Sequence, residues 1–177
     1  MSRIDGETID VLLPEDRLRA RIDELGAAIT RDYRGKPLKL VGVLKGSFMF
    51  MADLSRAIDL PIKVDFIGTT SYQGTSTSGV VRITSDLSRP IEGEHVLLIE
   101  DIVDTGLTMK YLLDNLGTRN PASVKVCALL QKPSRARVEV HVEYKGFEIP
   151  DEFVVGFGLD WNGRFRNLPY IGVLSRA

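Results

Sequence analysis

Two adjacent carboxylates and a glycine-containing turn form the part of this sequence best suited to chemistry. Glu100 and Asp101 follow the apolar run at 96–99, and the segment Asp104-Thr105-Gly106-Leu107-Thr108 comes directly after them. The apolar run predicts a buried strand, and the segment beyond it predicts the start of a helix. Backbone N–H groups, hydroxyls and the positive end of a helix dipole suit a phosphate monoester.

The carboxylates suit the sugar that carries such a phosphate. They can accept hydrogen bonds from vicinal hydroxyls and attract Mg²⁺ bound to those hydroxyls. A helix N-cap alone would explain Asp104 and Thr105, but it leaves the Glu100–Asp101 pair unexplained. The chain has no G-x-x-x-x-G-K-[ST] sequence, and Gly156-Phe157-Gly158 lacks the third glycine of a dinucleotide fingerprint. The segment therefore indicates a phosphorylated ribose.

The elements that position this segment follow the pattern of an α/β fold. Apolar residues at helical spacing predict an amphipathic helix from Pro14 to Tyr33, a second helix from Phe48 to Leu54 and a third over about 107–116. Short apolar runs predict strands at 38–44, 62–67, 80–84, 96–99 and 124–130. Strands that alternate with helices indicate a mostly parallel central sheet flanked by helices. Ligands are then expected at the carboxyl ends of the strands.

The pattern changes after Arg135. Apolar stretches at 138–144, 153–157 and 170–174 are interrupted by glycines and prolines. We expect residues 1–177 to form a single domain, with a core of about 14–135 and a small hood subdomain of about 1–13 and 136–177.

Composition restricts the kind of ligand. A formal net charge of -1 gives no general attraction to nucleic acid or to an anionic membrane, so a small ligand in a local site is favoured. No apolar stretch approaches the ~20 residues of a membrane span, and the polar segment at 1–7 does not resemble a signal peptide. We therefore predict a cytoplasmic protein. The single cysteine, Cys127, lies in an apolar run and is predicted to be a buried, unreactive thiol.

Several motifs together carry a family resemblance. The segment 96–108 resembles the phosphoribosyl diphosphate (PRPP) binding motif of type I phosphoribosyltransferases. Leu44-Lys45-Gly46 resembles the diphosphate loop of the hypoxanthine-guanine members, and Ser71-Tyr72 resembles their catalytic lid. Lys132 resembles their ligand of the purine oxygen, and 153–166 resembles their purine hood. The resemblance extends from about the first helix to the C-terminus and implies a Rossmann-like core.

The resemblance implies a reaction and roles for the PRPP half of the site. PRPP would react with N9 of hypoxanthine or guanine to give IMP or GMP and diphosphate. Glu100 and Asp101 would bind the ribose hydroxyls, and Asp104, Thr105, Gly106, Leu107 and Thr108 would hold the 5′-phosphate. Mg²⁺ would be bound by Glu100 and Asp101, and a second Mg²⁺ by Asp160. Diphosphate contacts would come from Leu44, Lys45, Gly46 and Arg166, with a non-proline cis peptide at Leu44–Lys45.

The resemblance also assigns the purine half. Asp104 would lie near N7 as the general base. Lys132 would donate to the 6-oxygen, which favours 6-oxopurines over adenine. The purine-binding set implied in this way is Ile102, Lys132, Phe153, Val154, Leu159 and Asp160. Ser71 and Tyr72 would close over the site with the loop that extends to Gly79. From the residues alone, an exposed lysine at 132 and an ordinary exposed loop at 71–79 fit as well.

Two alternatives and one departure from the family pattern stay open. An RNA-binding regulator on the same fold would keep the PRPP motif but would need a basic face, which the net charge of -1 disfavours. A phosphoribosyltransferase for xanthine would share Lys132. Leu107 stands where some family members carry lysine, although backbone amides should still bind the phosphate. A homo-oligomer, either a dimer or a tetramer, fits the resemblance.

Overall fold

The structure is a computed structural model that describes residues 2–4, 7–72 and 80–175. It contains three helices and ten strands in the described part of the chain. The helices are α1 (Glu15–Asp32), α2 (Phe48–Ala57) and α3 (Leu107–Gly117). The strands are β1 (Ser2–Ile4), β2 (Glu7–Leu13), β3 (Leu38–Leu44), β4 (Lys63–Tyr72), β5 (Val80–Ser85), β6 (His95–Val103), β7 (Ser123–Gln131), β8 (Tyr144–Glu148), β9 (Val154–Val155) and β10 (Ile171–Ser175).

Six of the strands form the central sheet, in the order β5-β4-β3-β6-β7-β8. All neighbouring pairs are parallel except β4 and β5. The chain proceeds outward from β3 to β4 in one direction and from β6 through β7 to β8 in the other. The direction of winding therefore reverses between β3 and β6. Such a reversal leaves a crevice at the carboxyl ends of the two strands, where α/β proteins bind their ligands.

The apolar residues of β6 explain how the helices cover both faces of this sheet. Successive side chains of a strand point to opposite faces. Leu97 and Ile99 pack in one buried cluster with residues of α1 and α2, and Val96 and Leu98 pack in another with residues of α3. An apolar run without alternation is thus the expected composition of a strand that is buried on both sides.

A second, antiparallel sheet is built from both ends of the chain, in the order β1-β2-β10-β9. Ile9 of β2, Val155 of β9, Leu174 of β10 and Phe165 form a small buried cluster of their own. Leu13 of β2, Val154 of β9 and Ile171 of β10 instead belong to the large cluster that includes residues of α1, α2 and the central strands. The small sheet is therefore joined to the central sheet by apolar packing.

These observations confirm the predicted fold class. The strand predicted at 38–44 has the predicted bounds, and α1 and α3 agree with their predicted ranges to within one or two residues. The apolar stretch at 138–144 forms no strand before Tyr144, where β8 (Tyr144–Glu148) begins. The alternating valines before it mimic a strand, but Val140 and Val142 pack against the cluster beside α3.

Strand β8 lies within the range expected for the hood, yet it pairs in parallel with β7 in the central sheet. The division of the chain into core and hood at the predicted boundaries stays a prediction.

None of the described helices is long and apolar enough to cross a membrane. Cys127 is fully buried in β7, and burial raises the pKa of its thiol, which confirms the predicted unreactive environment.

Candidate active site

A cavity of about 230 Å³ lies at the reversal between β3 and β6. Its walls come from the carboxyl ends of β3, β4 and β6 and from the beginning of α3. The structure thus brings together most of the predicted PRPP site. The lining residues are Val43, Leu44, Gly46, Thr69, Glu100, Asp101, Ile102, Val103, Asp104, Thr105, Gly106, Thr108 and Met109. Thr69 was not predicted, since nothing in its local sequence distinguishes it from the rest of its strand.

The carboxylate pair lies inside strand β6, which continues four residues beyond the predicted end at Ile99. Glu100 pairs with Ala128 of β7 and is 8% exposed. The Asp101 amide donates to Glu100 Oε1 at 3.1 Å, and the Ile102 amide donates to Asp101 Oδ1 at 2.8 Å. Burial and the neighbouring Asp101 carboxylate raise the pKa of Glu100 well above its ordinary value. A hydroxyl donor or a cation in the cavity would relieve this unfavourable burial.

The predicted diphosphate loop packs against these acids without a side chain between them. A Cβ atom at Gly46 would overlap Asp101 Oδ2, and a Cβ atom at Gly158 would overlap the Gly46 carbonyl oxygen. The peptide bond between Leu44 and Lys45 is cis, as the resemblance implied. The loop is therefore held between β6 on one side and the predicted hood on the other. Lys45 itself is exposed and does not line the cavity.

The turn before α3 has the geometry of an anion site. Gly106 caps the helix with φ 84°, a left-handed conformation that favours glycine, and a Cβ atom there would overlap the Val138 carbonyl oxygen. The first helical hydrogen bond runs from the Lys110 amide to the Gly106 carbonyl at 2.9 Å. The amides of Thr108 and Met109 therefore have no partner within the helix. Both residues line the cavity, so a phosphate there would meet free N–H donors.

Four charged residues form a chain beside the cavity. Asp104 Oδ1 accepts a hydrogen bond from Arg135 Nε at 3.1 Å. Arg135 Nη1 lies 3.7 Å from Asp151 Oδ2, and Asp151 Oδ1 lies 3.7 Å from the Nζ of Lys132. Lys132 is 8% exposed, and its amide donates to the Val103 carbonyl at 3.0 Å. The predicted Asp104 and Lys132 are thus connected by Arg135 and Asp151.

Sequence reasoning missed both connecting residues. Arg135 follows Lys132 by three positions in a short 3-10 turn that begins at Pro133, a spacing that gives little signal outside a long helix. Asp151 follows Pro150 in an irregular segment. The chain of charges forms because the segments that carry Arg135 and Asp151 lie close to β6 in the fold. No local sequence pattern predicts that proximity.

The predicted hood surrounds a tight turn. Phe157 and Gly158 both have positive φ, at 49° and 101°, and Gly156 and Leu159 exchange backbone hydrogen bonds at 3.0 Å. Val154 and Leu159 are buried, and Phe153 is 43% exposed. Of the predicted purine set only Ile102 lines the cavity at the reversal. The remaining residues of that set stand outside its lining.

Asp160 and Arg166 are bound to each other. Asp160 Oδ1 lies 2.7 Å from Arg166 Nη2, and Asp160 Oδ2 accepts from the Gly163 amide at 2.7 Å. Arg166 Nη1 donates to the Gly158 carbonyl at 2.6 Å. Both carboxylate oxygens of Asp160 are therefore engaged within the hood. Among the described residues, no group of three or more acidic, histidine or cysteine side chains could hold a metal ion alone.

The predicted lid is described only at its base. Ser71 and Tyr72 end β4 and pair with Val81 and Val80 of β5. The predicted loop at 73–79 lies outside the described residues.

Comparison with known proteins gives the class to which this fold and site belong. The family model described as "Phosphoribosyl transferase domain" matches residues 9–162. The chain therefore belongs to the phosphoribosyltransferase family, as the motif around Glu100 and Asp101 indicated.

Individual relatives narrow the class. The chain is 55% identical to the hypoxanthine phosphoribosyltransferase of Haemophilus influenzae, over 93% of this chain and 94% of that protein. It is 49% identical to the hypoxanthine-guanine phosphoribosyltransferase of Mycobacterium bovis, over 96% and 88%. The crystal structure of a hypoxanthine phosphoribosyltransferase from Staphylococcus aureus matches with a TM-score of 0.90 at 47% identity, over 94% and 91% of the two chains. Within its family, the chain is thus an enzyme of the hypoxanthine-guanine type.

Proposed function

We propose that this enzyme transfers the 5-phosphoribosyl group from PRPP to N9 of hypoxanthine or guanine, forming IMP or GMP and diphosphate, with Asp104 as the general base. The observation that supports this most is that the cavity and the four-residue chain of charges meet at Asp104. A cavity that combines the Glu100 and Asp101 carboxylates with free helix amides is also lined by Asp104, which is linked by charges to the buried Lys132.

The PRPP half follows from the groups in the cavity. The amides that begin α3 and the hydroxyls of Thr105 and Thr108 hold the 5′-phosphate, and Glu100 and Asp101 accept hydrogen bonds from the ribose hydroxyls. Leu44, Lys45, Gly46 and Arg166 contact the diphosphate, for which the guanidinium of Arg166 offers two donors to phosphate oxygens. Leu107 contributes its backbone amide.

The purine half follows from the charges beside the cavity. The Lys132 ammonium donates to the 6-oxygen, and Asp104 accepts the N7 proton, so that electron density rises at N9 as it attacks C1 of the ribose. Ile102, Phe153 and Leu159 contact the ring faces, the backbone of Val154 meets the ring edge, and Asp160 completes the predicted set. The 6-oxygen and N7 lie on the same edge of the purine, so the two charged residues are needed on the same side of the base.

Magnesium fits the carboxylate pair. Mg²⁺ is usually held by one or two protein carboxylates together with water and substrate oxygens, so Glu100 and Asp101 suffice without a complete set of protein ligands. Burial and the neighbouring Asp101 carboxylate raise the pKa of Glu100, so a nearby cation would stabilise its ionised form. Bound Mg²⁺ supplies charge neutralisation for the departing diphosphate. We include Asp160 as a ligand of a second ion, which requires that it release Arg166 or the Gly163 amide.

The lid and the assembly complete the proposal. Closure of the segment that begins at Ser71 and Tyr72 would exclude water and suppress hydrolysis of PRPP. We further propose that the enzyme is a homo-oligomer, a dimer or a tetramer. Val64 and Phe66 support this, because these apolar residues lie on one face of β4 and are 50% and 39% exposed.

A diphosphate-release assay with PRPP, Mg²⁺ and each of hypoxanthine, guanine, xanthine and adenine tests the function. We expect turnover with hypoxanthine or guanine and none with adenine. Asp104→Asn keeps the shape of the side chain but removes the base, so its kcat should fall by on the order of a hundredfold. Turnover with xanthine alone would identify a xanthine phosphoribosyltransferase. Salt-dependent RNA binding without turnover would identify an RNA-binding regulator on the same fold.

A further inference from the structure

The partner of Asp104 holds only half of its carboxylate. Arg135 Nε donates to Oδ1, and no residue in the described ranges 2–4, 7–72 and 80–175 donates to Oδ2. A carboxylate fixed through one oxygen can present the other in a defined direction. Asp104 is 39% exposed in its side chain and lines the cavity, so the second oxygen is available to a ligand.

The same arginine is connected to the other charged residue of the purine half. Asp151 lies 3.7 Å from both Arg135 Nη1 and Lys132 Nζ, so negative and positive charges alternate along Asp104, Arg135, Asp151 and Lys132. Each cation is therefore attracted to Asp151, while Asp104 already has Arg135 as its partner. Lys132 and Asp104 have opposite charges and no direct ion pair, although Lys132 follows the strand that neighbours Asp104.

We propose that Arg135, supported by Asp151, is a positioning residue that holds Asp104 and Lys132 apart at the separation needed by a 6-oxopurine. This inference rests on the proposed function. Arg135 fixes Oδ1 so that Oδ2 meets the proton on N7, and Asp151 holds the Lys132 ammonium where the 6-oxygen arrives. Without them the lysine and the aspartate would pair and occupy the space into which the base must enter.

A purely structural role for this chain of charges would be weak. The side chains of Arg135 and Asp151 are 46% and 52% exposed, and ion pairs at such exposure contribute little to the free energy of unfolding. Variants at either position should therefore fold. We then expect weaker binding and use of the purine and not of PRPP, because the proposed phosphate and ribose contacts lie on β6 and α3.

Steady-state kinetics of Arg135→Gln and Asp151→Asn provide the first test. We expect kcat/KM for hypoxanthine to fall about tenfold or more in Arg135→Gln, and the KM for PRPP to change less than about twofold. Arg135→Lys should recover only part of the loss, because its ammonium lacks the planar Nε donor. Arg137→Gln is the matched control, since it removes the same charge from an exposed side chain for which the described residues provide no ion pair. It should retain the activity of the unchanged enzyme.

A purine analogue with carbon in place of N7 provides the second test. Asp104 cannot bind N7 in this analogue, which keeps only the contact of its 6-oxygen with Lys132. Its inhibition constant should therefore rise less in Arg135→Gln than the KM for hypoxanthine does. Equal losses for both bases, a loss confined to PRPP, or full activity of Arg135→Gln would each overturn the inference. Failure of the unchanged enzyme to use hypoxanthine or guanine would instead overturn the proposed function.

Discussion

At the scale of single residues, the site combines groups that are costly to bury with contacts that leave no room for change. Glu100 is buried, its neighbour Asp101 is also an acid, and no described residue pairs it with a cation. A group of this kind is retained for its ligand, because functional sites commonly reduce the stability of the free protein. The carboxylate should therefore destabilise the enzyme when no substrate is bound.

Glu100→Gln should raise the free energy of unfolding of the ligand-free enzyme by on the order of 1 kcal/mol at pH 8. The folded pKa is raised above the unfolded value, so the folded protein binds more protons, and stability falls as the pH rises from the unfolded pKa to the folded pKa. The glutamine variant lacks this fall. Urea unfolding at pH 8 and pH 4 checks the prediction, since the gain should shrink at pH 4. A gain of equal size at both pH values would contradict it.

Gly46→Ala should lower kcat/KM for PRPP by about tenfold to a hundredfold, because the added Cβ displaces the Asp101 carboxylate. Gly117→Ala is the matched control, because the space around Gly117, the last residue of α3, is open and its backbone has no positive φ. Initial rates at varied PRPP concentration check both variants. Unchanged PRPP kinetics in Gly46→Ala would show that Asp101 does not bind this substrate.

At the same scale, sequence identifies types of residue better than their partners. The run of acids and glycine predicted the residues that line the cavity, because apolar strand, acids and glycine turn are consecutive in the chain. Arg135 and Asp151 could not be predicted in the same way. Their relation to Asp104 and Lys132 depends on how three separate segments approach one another.

At the scale of elements, the crossing of α1 and α2 depends on one glycine. A Cβ atom at Gly26 would lie 2.6 Å from the carbonyl oxygen of Ala57, so the two helices are in close contact. The Thr30 hydroxyl donates to the Gly26 carbonyl at 2.7 Å and accepts from the Asp59 amide at 3.0 Å. This buried hydroxyl thereby joins α1 to the residues that follow α2.

Gly26→Ala should lower the free energy of unfolding by about 1–2 kcal/mol. Overpacking costs roughly 1–3 kcal/mol, and the better helix propensity of alanine offsets at most about 1 kcal/mol of this. The midpoint of urea unfolding measures the effect, with Gly117→Ala again as the control. A midpoint above that of the unchanged protein would mean that the helices can separate without cost.

Elements were predictable where the spacing of apolar residues matches the faces that a segment buries, which are both faces in β3 and one face in α1. The seven residues of β3 and the helical spacing in α1 are examples, because each is buried by neighbours that the chain supplies in a regular order. The valines at 138–142 alternate as in a strand, but Val140 and Val142 pack against the cluster beside α3 without forming one, so this pattern alone does not identify a strand. The pairing of β2 with β10 joins opposite ends of the chain and leaves no local signal.

At the scale of the whole molecule, the exposed apolar face of β4 is the feature that an isolated chain does not explain. Val64 and Phe66 lie two positions apart, and alternate residues of a strand share one face. Exposed apolar patches commonly mark protein interfaces. The proposed homo-oligomer would bury this face.

Val64→Glu should therefore shift the enzyme toward the monomer, because the interface would have to desolvate a carboxylate. Size-exclusion chromatography with light scattering measures the mass of both proteins at several concentrations. Val11→Glu is the control, since Val11 is also apolar and 46% exposed but lies on β2. A monomeric unchanged enzyme, or the same loss of mass in both variants, would contradict this use of the β4 face.

In the proposed site, the contact between Gly46 and Gly158 is a wall shared by the two substrates. The diphosphate loop lies on one side of it and the purine hood on the other, and no side chain separates them. A shift of the backbone on one side should therefore displace the backbone on the other, because no flexible side chain lies between them to absorb it. Attempts to alter base preference by redesigning the hood at 156–158 should disturb leaving-group binding as well. Positions away from this wall, such as Phe153, are better starting points for such engineering.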